Sequence, residues 1–225
     1  MNDQNDTRPE DLLRAHAEER EFLERALLES ADRESRRIGQ ELHDHLCQHL
    51  LGAAFSAKAL ANSLDPASPA AIEAHELARL INSGVGQIRE IVRDLHSAEL
   101  GASGLMAALQ ELARRPRCRF EYGHPVSLPD AATAGHAYRI AQEAVANAVK
   151  HSGARAVVIR LNDDEQSVYL EIADDGTGFD PTSLVSRGLG LAMMKIRARA
   201  VGGKIRFDTP ADGGTRVLFV VPKRK

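Results

Sequence analysis

Tryptophan is absent from this 225-residue sequence, and cysteines, aromatic residues and long apolar runs are scarce. Two cysteines, Cys47 and Cys118, are too few for a disulfide framework or a four-cysteine zinc site, so a reducing, cytoplasmic environment is expected. No apolar run approaches the roughly 20 residues that a membrane helix needs, and no membrane segment is expected. The formal net charge of -3 provides no basic field for duplex nucleic acid, so direct nucleic-acid binding is not expected either.

The few aromatic residues are unevenly distributed, which indicates two regions of different structural class. Phe22 and Phe55 are the only aromatic rings before Phe120. Residues 10–64 have a helical pattern without proline, whereas helical and strand patterns alternate over the last hundred residues. Because 43% of the residues are hydrophobic, both regions can build a core.

Apolar stripes at helical spacing run along two segments, which are separated by a break at residues 65–69. The first segment is predicted to be one long helix, or two joined end to end. Ser68 is placed to cap the helix after the break, and Pro69 to be its first residue. Two helices cannot enclose both stripes, so we predict that two hairpins pair into a four-helix bundle in a homodimer. The stripes contain Ala31, Ser35, Ile38, Leu42, Leu46, His49, Ala53, Leu60 and Leu64, and then Leu77, Leu80, Ile81, Ile88, Ile91, Val92 and Leu95.

The remainder of the chain is predicted to form an α+β sandwich with its helices on one face of the sheet. Residues 97–104 are expected to be a linker. The predicted strands are 117–122, 154–161, 167–173, 204–208 and 215–221, and the predicted helices are 105–113, 133–151 and 189–201. The fold class is therefore an all-α hairpin followed by an α+β domain, with boundaries at 1–30, 31–98 and 99–225.

A polar motif lies in the predicted helix 133–151. Glu143, Asn147 and His151 are spaced i, i+4, i+8, so they project from one face of that helix. Carboxylate and amide oxygens are ligands that Mg²⁺ accepts alongside phosphate oxygens, while Lys150 and His151 suit phosphate charge. A solvated polar stripe explains this motif equally well when it is considered alone.

Two glycine-rich motifs follow. Residues 174–178, DDGTG, come directly after a predicted strand, where Asp174 could accept a hydrogen bond from an exocyclic amine and the glycines let backbone approach a flat ligand. Gly188 and Gly190 lie at a predicted helix start, where free N–H groups and the positive end of the dipole suit phosphate. Alone, the first motif is equally compatible with a turn, and the second is weak evidence.

In chain order, NAVKH, DDGTG, GLGL and Gly213-Gly214-Thr215 resemble the N, G1, G2 and GT boxes of one ATP-binding domain. Histidine kinases, gyrase, heat-shock-90 chaperones and mismatch-repair ATPases share that domain, and the resemblance covers about residues 105–221. It implies ATP as a cofactor, with Mg²⁺ held through Asn147, Glu143 on the same face and adenine recognised by Asp174. It also implies contacts to the base from Gly176 and Gly178, contacts to the phosphates from Gly188 and Gly190, and a short lid over residues 179–188.

Upstream, residues 43–48 contain the motif HDxxxQ. An imidazole with a pKa of about 6.5 is largely neutral at pH 7, so a ring nitrogen of His43 could attack phosphorus. His43 lies about 100° around the helix from Leu42, at the accessible edge of the stripe. Neighbours on an α-helix do not face each other, so spacing alone does not predict a contact between His43 and Asp44.

This motif resembles the dimerisation and phosphotransfer helix of sensor histidine kinases with HDxxxQ signatures, over about residues 33–100. The resemblance implies that His43 is phosphorylated from MgATP with Asp44 as acid/base, and that the phosphoryl group passes to an aspartate of a response regulator. It implies that Gln48 orients water during phosphatase action on that partner. Residues 1–30 would then be a signal helix or linker, 31–98 the phosphotransfer domain and 99–225 the catalytic domain. A related ATPase without kinase activity, or a degenerate ATP-binding scaffold, is the alternative.

His43, His45, Cys47 and His49 also invite a metal-site interpretation. Positions two apart on a helix diverge by about 200°, so the four side chains cannot converge on one ion. We therefore interpret His49 as a core or interface residue and Cys47 as a small buried or flanking thiol.

Overall fold

The structure is a computed structural model that describes residues 9–96, 104–126, 128–178 and 189–223. The chain divides into two compact units, one of residues 32–98 and one that combines residues 1–31 with 99–225. The predicted linker lies outside the described residues except for Gly104, as do the predicted lid and Gly188. Among the helices that are described, none is long and apolar enough to cross a membrane.

The helical part contains α1 (Pro9–Glu41), a π-helical segment (Leu42–Cys47), α2 (Gln48–Ser63) and α3 (Pro69–His96). Residues 9–63 are thus helical throughout. At the HDxxxQ motif the helix changes from α-helical to π-helical hydrogen bonding, and this change was not predicted from the sequence. The Ala71 N–H donates to Ser68 Oγ at 3.2 Å, and α3 begins at Pro69. The predicted cap is therefore confirmed, and it fixes the turn of the α2–α3 hairpin.

Small side chains form the contact between α2 and α3, because the buried positions on the two helices are mostly alanines. These positions are Ala54, Ala57 and Ala61 on α2, and Ala71, Ala74, Ala78, Val85 and Val92 on α3. The large stripe residues lie outside this alanine seam: Leu46, Leu60, Leu77 and Leu80 are 41%, 55%, 53% and 61% exposed. The hairpin therefore carries an apolar face that it does not cover by itself.

The α+β part contains a five-stranded sheet in the order β1-β2-β3-β5-β4. Strands β1 and β2 pair in parallel and are joined through α5, while the other neighbours are antiparallel. The predicted α+β fold is confirmed, and the ends of its elements differ from the predicted ones by at most three residues. The strands are β1 (Cys118–Tyr122), β2 (Val157–Asp163), β3 (Ser167–Asp174), β4 (Lys204–Asp208) and β5 (Thr215–Pro222), and the helices are α4 (Leu105–Leu112), α5 (Ala131–His151) and α6 (Leu189–Ala200).

Successive side chains along each strand point alternately to the core face and to the solvent face of the sheet. Ile159 and Leu170, on neighbouring strands, are fully buried in the core against α5 residues such as Ile140. On the opposite face Arg160 bonds Glu121 and Glu171, its direct partners on β1 and β3. These two carboxylates raise the pKa of Arg160, the Glu121 bond contributing most. The helices are thus confined to the face that carries the functional cavity.

Candidate functional site

A cavity of about 550 Å³ lies between α5, α6 and the strands β3, β4 and β5. Its volume is in the range of small-molecule sites. It brings together residues from all the predicted nucleotide motifs that the structure describes. The polar and glycine lining comprises Glu143, Asn147, His151, Ser152, Asp174, Gly178, Gly190 and Thr215, and the apolar lining comprises Ala144, Ala148, Ile172, Leu191, Met194, Phe207 and Val217.

Helix α5 forms one wall of the cavity. The Thr133 N–H donates to the Asp130 carboxylate at 2.7 Å and caps the start of the helix. One turn apart, Asn147 Nδ2 donates to Glu143 Oε1 at 3.3 Å, which leaves the Asn147 carbonyl oxygen for a cation. Carboxylate and amide oxygens on one face fit Mg²⁺ with phosphate oxygens. His151 lines the same wall, whereas Lys150 is exposed in the last turn, outside the lining.

Asp174 and Thr215 lie side by side at the edge of the cavity, because they are direct partners in the β3–β5 pairing. The Gly176 N–H donates to Asp174 Oδ1 at 2.9 Å and so orients the carboxylate. A carboxylate accepts hydrogen bonds and a hydroxyl both donates and accepts, so the pair suits the edge of a nitrogen heterocycle. This end of the cavity is therefore equipped for base recognition.

The glycines of the site are closely packed against protein backbone. A Cβ at Gly176 would collide with Ser152, and one at Gly214 would collide with the Asp174 carbonyl oxygen. Gly178 and Gly214 also have φ values of 71° and 79°, which side chains rarely adopt. The structure thus gives these glycines a packing role, whereas direct contact of Gly176 and Gly178 with a base stays a prediction.

Asp175 and Ser152 support the site but were not predicted from the sequence. Asp175 Oδ1 accepts from the Arg155 N–H at 2.7 Å and the Ala156 N–H at 2.9 Å. The Ala156 bond, followed by the Arg155 bond, holds the pKa of the Asp175 carboxyl below its ordinary value, so the tie persists at neutral pH. The Thr177 N–H donates to the Ser152 carbonyl at 2.9 Å. These bonds fasten the DDGTG loop to the segment after α5.

At the other end of the cavity, the first turn of α6 faces Glu143. A Cβ at Gly190 would collide with Glu143 Oε1, so a side chain at this position would displace the Glu143 carboxylate. The free N–H groups and the positive dipole end of α6 point to an anion at this position. Asp174, Asn147 and Gly190 all line this cavity, and their predicted roles towards a base, a cation and phosphates stay predictions.

The HDxxxQ motif, predicted to accept the phosphoryl group, belongs to the helical unit. His43 Nδ1 lies 3.0 Å from Asp44 Oδ1, and both side chains are exposed. In the π-helical segment the angle between neighbours is smaller than in an α-helix, which accounts for a contact that spacing alone did not predict. When Nδ1 carries the proton it donates to Asp44, and Nε2 then keeps its lone pair for attack. Gln48 is exposed at the first position of α2.

The other polar residues of this segment have different surroundings. Cys47 is buried, as predicted. His49 Nδ1 lies 2.6 Å from the His45 carbonyl oxygen, and both rings border a groove of about 300 Å³ with Ile38 and Leu46. His49 is exposed in the single chain, so its interpretation as an interface residue stays a prediction.

Two protein-family models match the chain. One, described as histidine kinase-, DNA gyrase B- and HSP90-like ATPase, matches residues 132–225, so the fold and the cavity define an ATP-binding domain of this class. The other, described as histidine kinase, matches residues 34–100, which include the HDxxxQ motif. The two models together match well over half of the chain, which therefore belongs to the histidine kinase family.

Solved structures of histidine kinases are similar to parts of the chain. The ATP-binding domain of PrrB from Mycobacterium tuberculosis is 25% identical, with a TM-score of 0.45, over 56% of this chain and 96% of that one. The mycobacterial sensor histidine kinase MprB is 30% identical, with a TM-score of 0.41, over 53% of this chain and 92% of that one. The Acinetobacter baumannii histidine kinase AdeS is 15% identical, with a TM-score of 0.45, over 83% of this chain and 98% of that one.

Proposed function

We propose that the chain is a sensor histidine kinase core that autophosphorylates His43 from MgATP and transfers the phosphoryl group to an aspartate of a response regulator. The observation that carries this proposal is that one chain combines an exposed His43–Asp44 pair with a cavity lined by Asp174, Asn147 and Gly190. An ATPase that only hydrolyses nucleotide needs the second feature but not the first. In this proposal the part of the cavity at Asp174 is the base end and the part at Gly190 is the phosphate end. Residues 31–98 would be the phosphotransfer domain, 99–225 the catalytic domain and 1–30 a signal helix.

In this proposal the cavity orients ATP along α5. Asp174 accepts from the adenine amine, and Asn147 with Glu143 holds Mg²⁺, which neutralises phosphate charge when it is bound. Gly190 brings the N–H groups of α6 to the phosphates, and Gly188 would extend this cradle. Lys150 adds positive charge near the end of α5, and His151 adds a ring nitrogen that can hydrogen-bond phosphate oxygens. Water is excluded by apolar side chains such as Met194 and Phe207.

The transfer step requires a neutral imidazole and a place for one proton. His43 Nε2 attacks the γ-phosphorus, an N–P bond forms, and the bond from phosphorus to the bridging oxygen breaks as ADP leaves. Positive charge develops on the ring, and Asp44 stabilises it by accepting the Nδ1 proton. The aspartate of the regulator then attacks phosphorus and the N–P bond breaks. The proton returns from Asp44 to Nδ1, which restores the neutral imidazole. Gln48, one turn beyond Asp44, would orient water for phosphatase action on the regulator.

Asp174→Asn should weaken ATP binding by roughly tenfold or more, because the amide group would present donors to the donor amine of adenine. Isothermal titration with ATP and ADP measures this. Asp212→Asn, in the exposed turn before Gly213, is the matched control and should bind as the wild type does. Equal affinities for wild type and Asp174→Asn would remove Asp174 from the adenine site.

The uncovered apolar face of the hairpin should hold a homodimer, because a contiguous apolar surface of this kind is rarely left in water. Light scattering on the full chain should give a dimer at tens of micromolar, and Leu60→Glu or Leu80→Glu should shift it towards monomer. Phe55→Glu is the control: Phe55 is also exposed but lies about 140° around α2 from Leu60. A monomeric wild type, or equal disruption by all three variants, would contradict this interface.

A further inference from the structure

Arg199, in the last turn of α6, makes an ion pair with a residue 175 positions earlier in the chain. Its Nη2 donates to Glu24 Oε1 at 2.7 Å and its Nε donates to Glu24 Oε2 at 3.2 Å, so both carboxylate oxygens are engaged. The Glu24 side chain is 18% exposed, compared with 65% for Glu21 in the same helix. This two-point contact joins α1 to α6, and both residues belong to the compact unit that contains the cavity.

Within residues 12–30 of α1, burial is confined to one side of the helix. Leu28 follows Glu24 by four residues and therefore lies on the same face, and it is 4% exposed. Leu23 and Leu27, which point to another side, are 58% and 43% exposed. The covered face thus pairs one carboxylate with one apolar residue, as expected for a helix docked through a specific face.

The partner helix α6 is also part of the nucleotide cavity. Gly190, Leu191 and Met194 line the cavity, and Arg199 lies about 13 Å beyond Gly190 along the same helix. Arg197, the other basic residue of the last turn, is buried with its Nη1 3.4 Å from His136 Nδ1. The contact to α1 is therefore made by the arginine that projects outwards, on the helix that would carry the phosphate contacts.

We propose that the last turn of α6 is a docking surface for residues 20–28 of α1, and that this docking restrains autophosphorylation. The regulatory part rests on the proposed kinase function. A domain that delivers a phosphoryl group to His43 on another unit has to move as a body, and a tie to α1 limits that movement. Arg199 is half exposed, and a single ion pair with a solvent-accessible partner contributes little free energy, so the tie opens without unfolding either helix. A signal that moves α1 would thereby reach the ATP site directly.

Charge reversal tests this docking in the full-length chain. Glu24→Arg and Arg199→Glu should each increase the initial rate of autophosphorylation, by about two- to fivefold for the loss of one such pair, with ATP affinity unchanged. The double variant restores the pair in reverse and should return to the wild-type rate. Glu21→Arg is the matched control, because Glu21 pairs with Arg25 inside α1, and its rate should equal that of the wild type.

Amide hydrogen exchange over residues 20–31 provides a second readout, which does not require catalysis. Exchange should be faster in both single variants than in the wild type and should slow again in the double variant. Identical exchange in all of these proteins would overturn the docking surface. The regulatory role would be overturned if the single variants autophosphorylated at the wild-type rate. It would also be overturned if the double variant autophosphorylated as fast as the single variants. A wild type with the expected exchange pattern but no phosphorylation would leave the docking intact and refute the proposed kinase.

Discussion

Replacing His43 by glutamine is expected to abolish incorporation of phosphate from γ-labelled ATP, while leaving ATP affinity nearly unchanged. Glutamine has no ring nitrogen to attack phosphorus, and position 43 belongs to the helical unit, whereas the cavity residues belong to the other one. The label on the wild type should be lost in acid and stable in alkali, as a phosphoramidate is. Time courses of labelling, together with isothermal titration, measure both quantities.

Two neighbouring substitutions make this result specific. His45→Gln removes an exposed histidine of the same π-helical segment and should leave labelling intact. Gln48→Ala should also label normally, but it should slow the loss of phosphate from a phosphorylated regulator. Labelling of His43→Gln at the wild-type rate would refute the central claim. Release of inorganic phosphate by a wild type that never becomes labelled would favour the alternative of an ATPase.

Alanine at position 214 is expected to destabilise the ATP-binding unit and to abolish nucleotide binding. Its Cβ would collide with the Asp174 carbonyl oxygen, and φ there is 79°. The collision should add about 1–3 kcal/mol to the cost of the backbone conformation, because strand β3 cannot shift without breaking its pairing. Displacement of Asp174 would disrupt the base end of the cavity as well.

Gly153→Ala separates these two costs. Gly153 has a φ of 64°, but nothing lies within 4 Å of the position of its Cβ, so only the backbone cost of about 1–2 kcal/mol applies. Chemical denaturation of both variants, followed by titration with ATP, should show the larger loss of unfolding free energy at position 214. Equal losses in the two variants would mean that strand β3 tolerates the contact.

The parts of the site that follow from local periodicity could be predicted from the sequence. Glu143, Asn147 and His151 share a cavity wall because the period of an α-helix places i, i+4 and i+8 on one face. The Ser68 cap and the ends of most strands were predicted for the same reason, since caps and alternation are local properties. Each of these features depends on residues that are only a few positions apart in the chain.

Features that depend on distant segments could not be predicted in this way. Ile172, Met194, Phe207 and Val217 line the cavity from four different elements, and their sequence pattern is that of ordinary core residues. The pairing of Glu24 with Arg199 has no local signature either. The sequence pattern around the π-helical segment is that of a regular α-helix, so the change in its hydrogen bonding has no sequence signal. Tertiary contacts decide the cavity lining and the Glu24–Arg199 pair.

The alanine seam of the hairpin affects how the stability of the chain depends on concentration. Alanine buries little area, so a hairpin that is closed mainly by alanines gains little free energy from its own contact. If a second chain covers the exposed leucines of the hairpin, as proposed, folding of the hairpin is linked to mass action. The ATP-binding unit already encloses large side chains such as Phe219 and Ile159 within one chain. Dilution would therefore weaken the helical unit selectively and leave the nucleotide cavity folded.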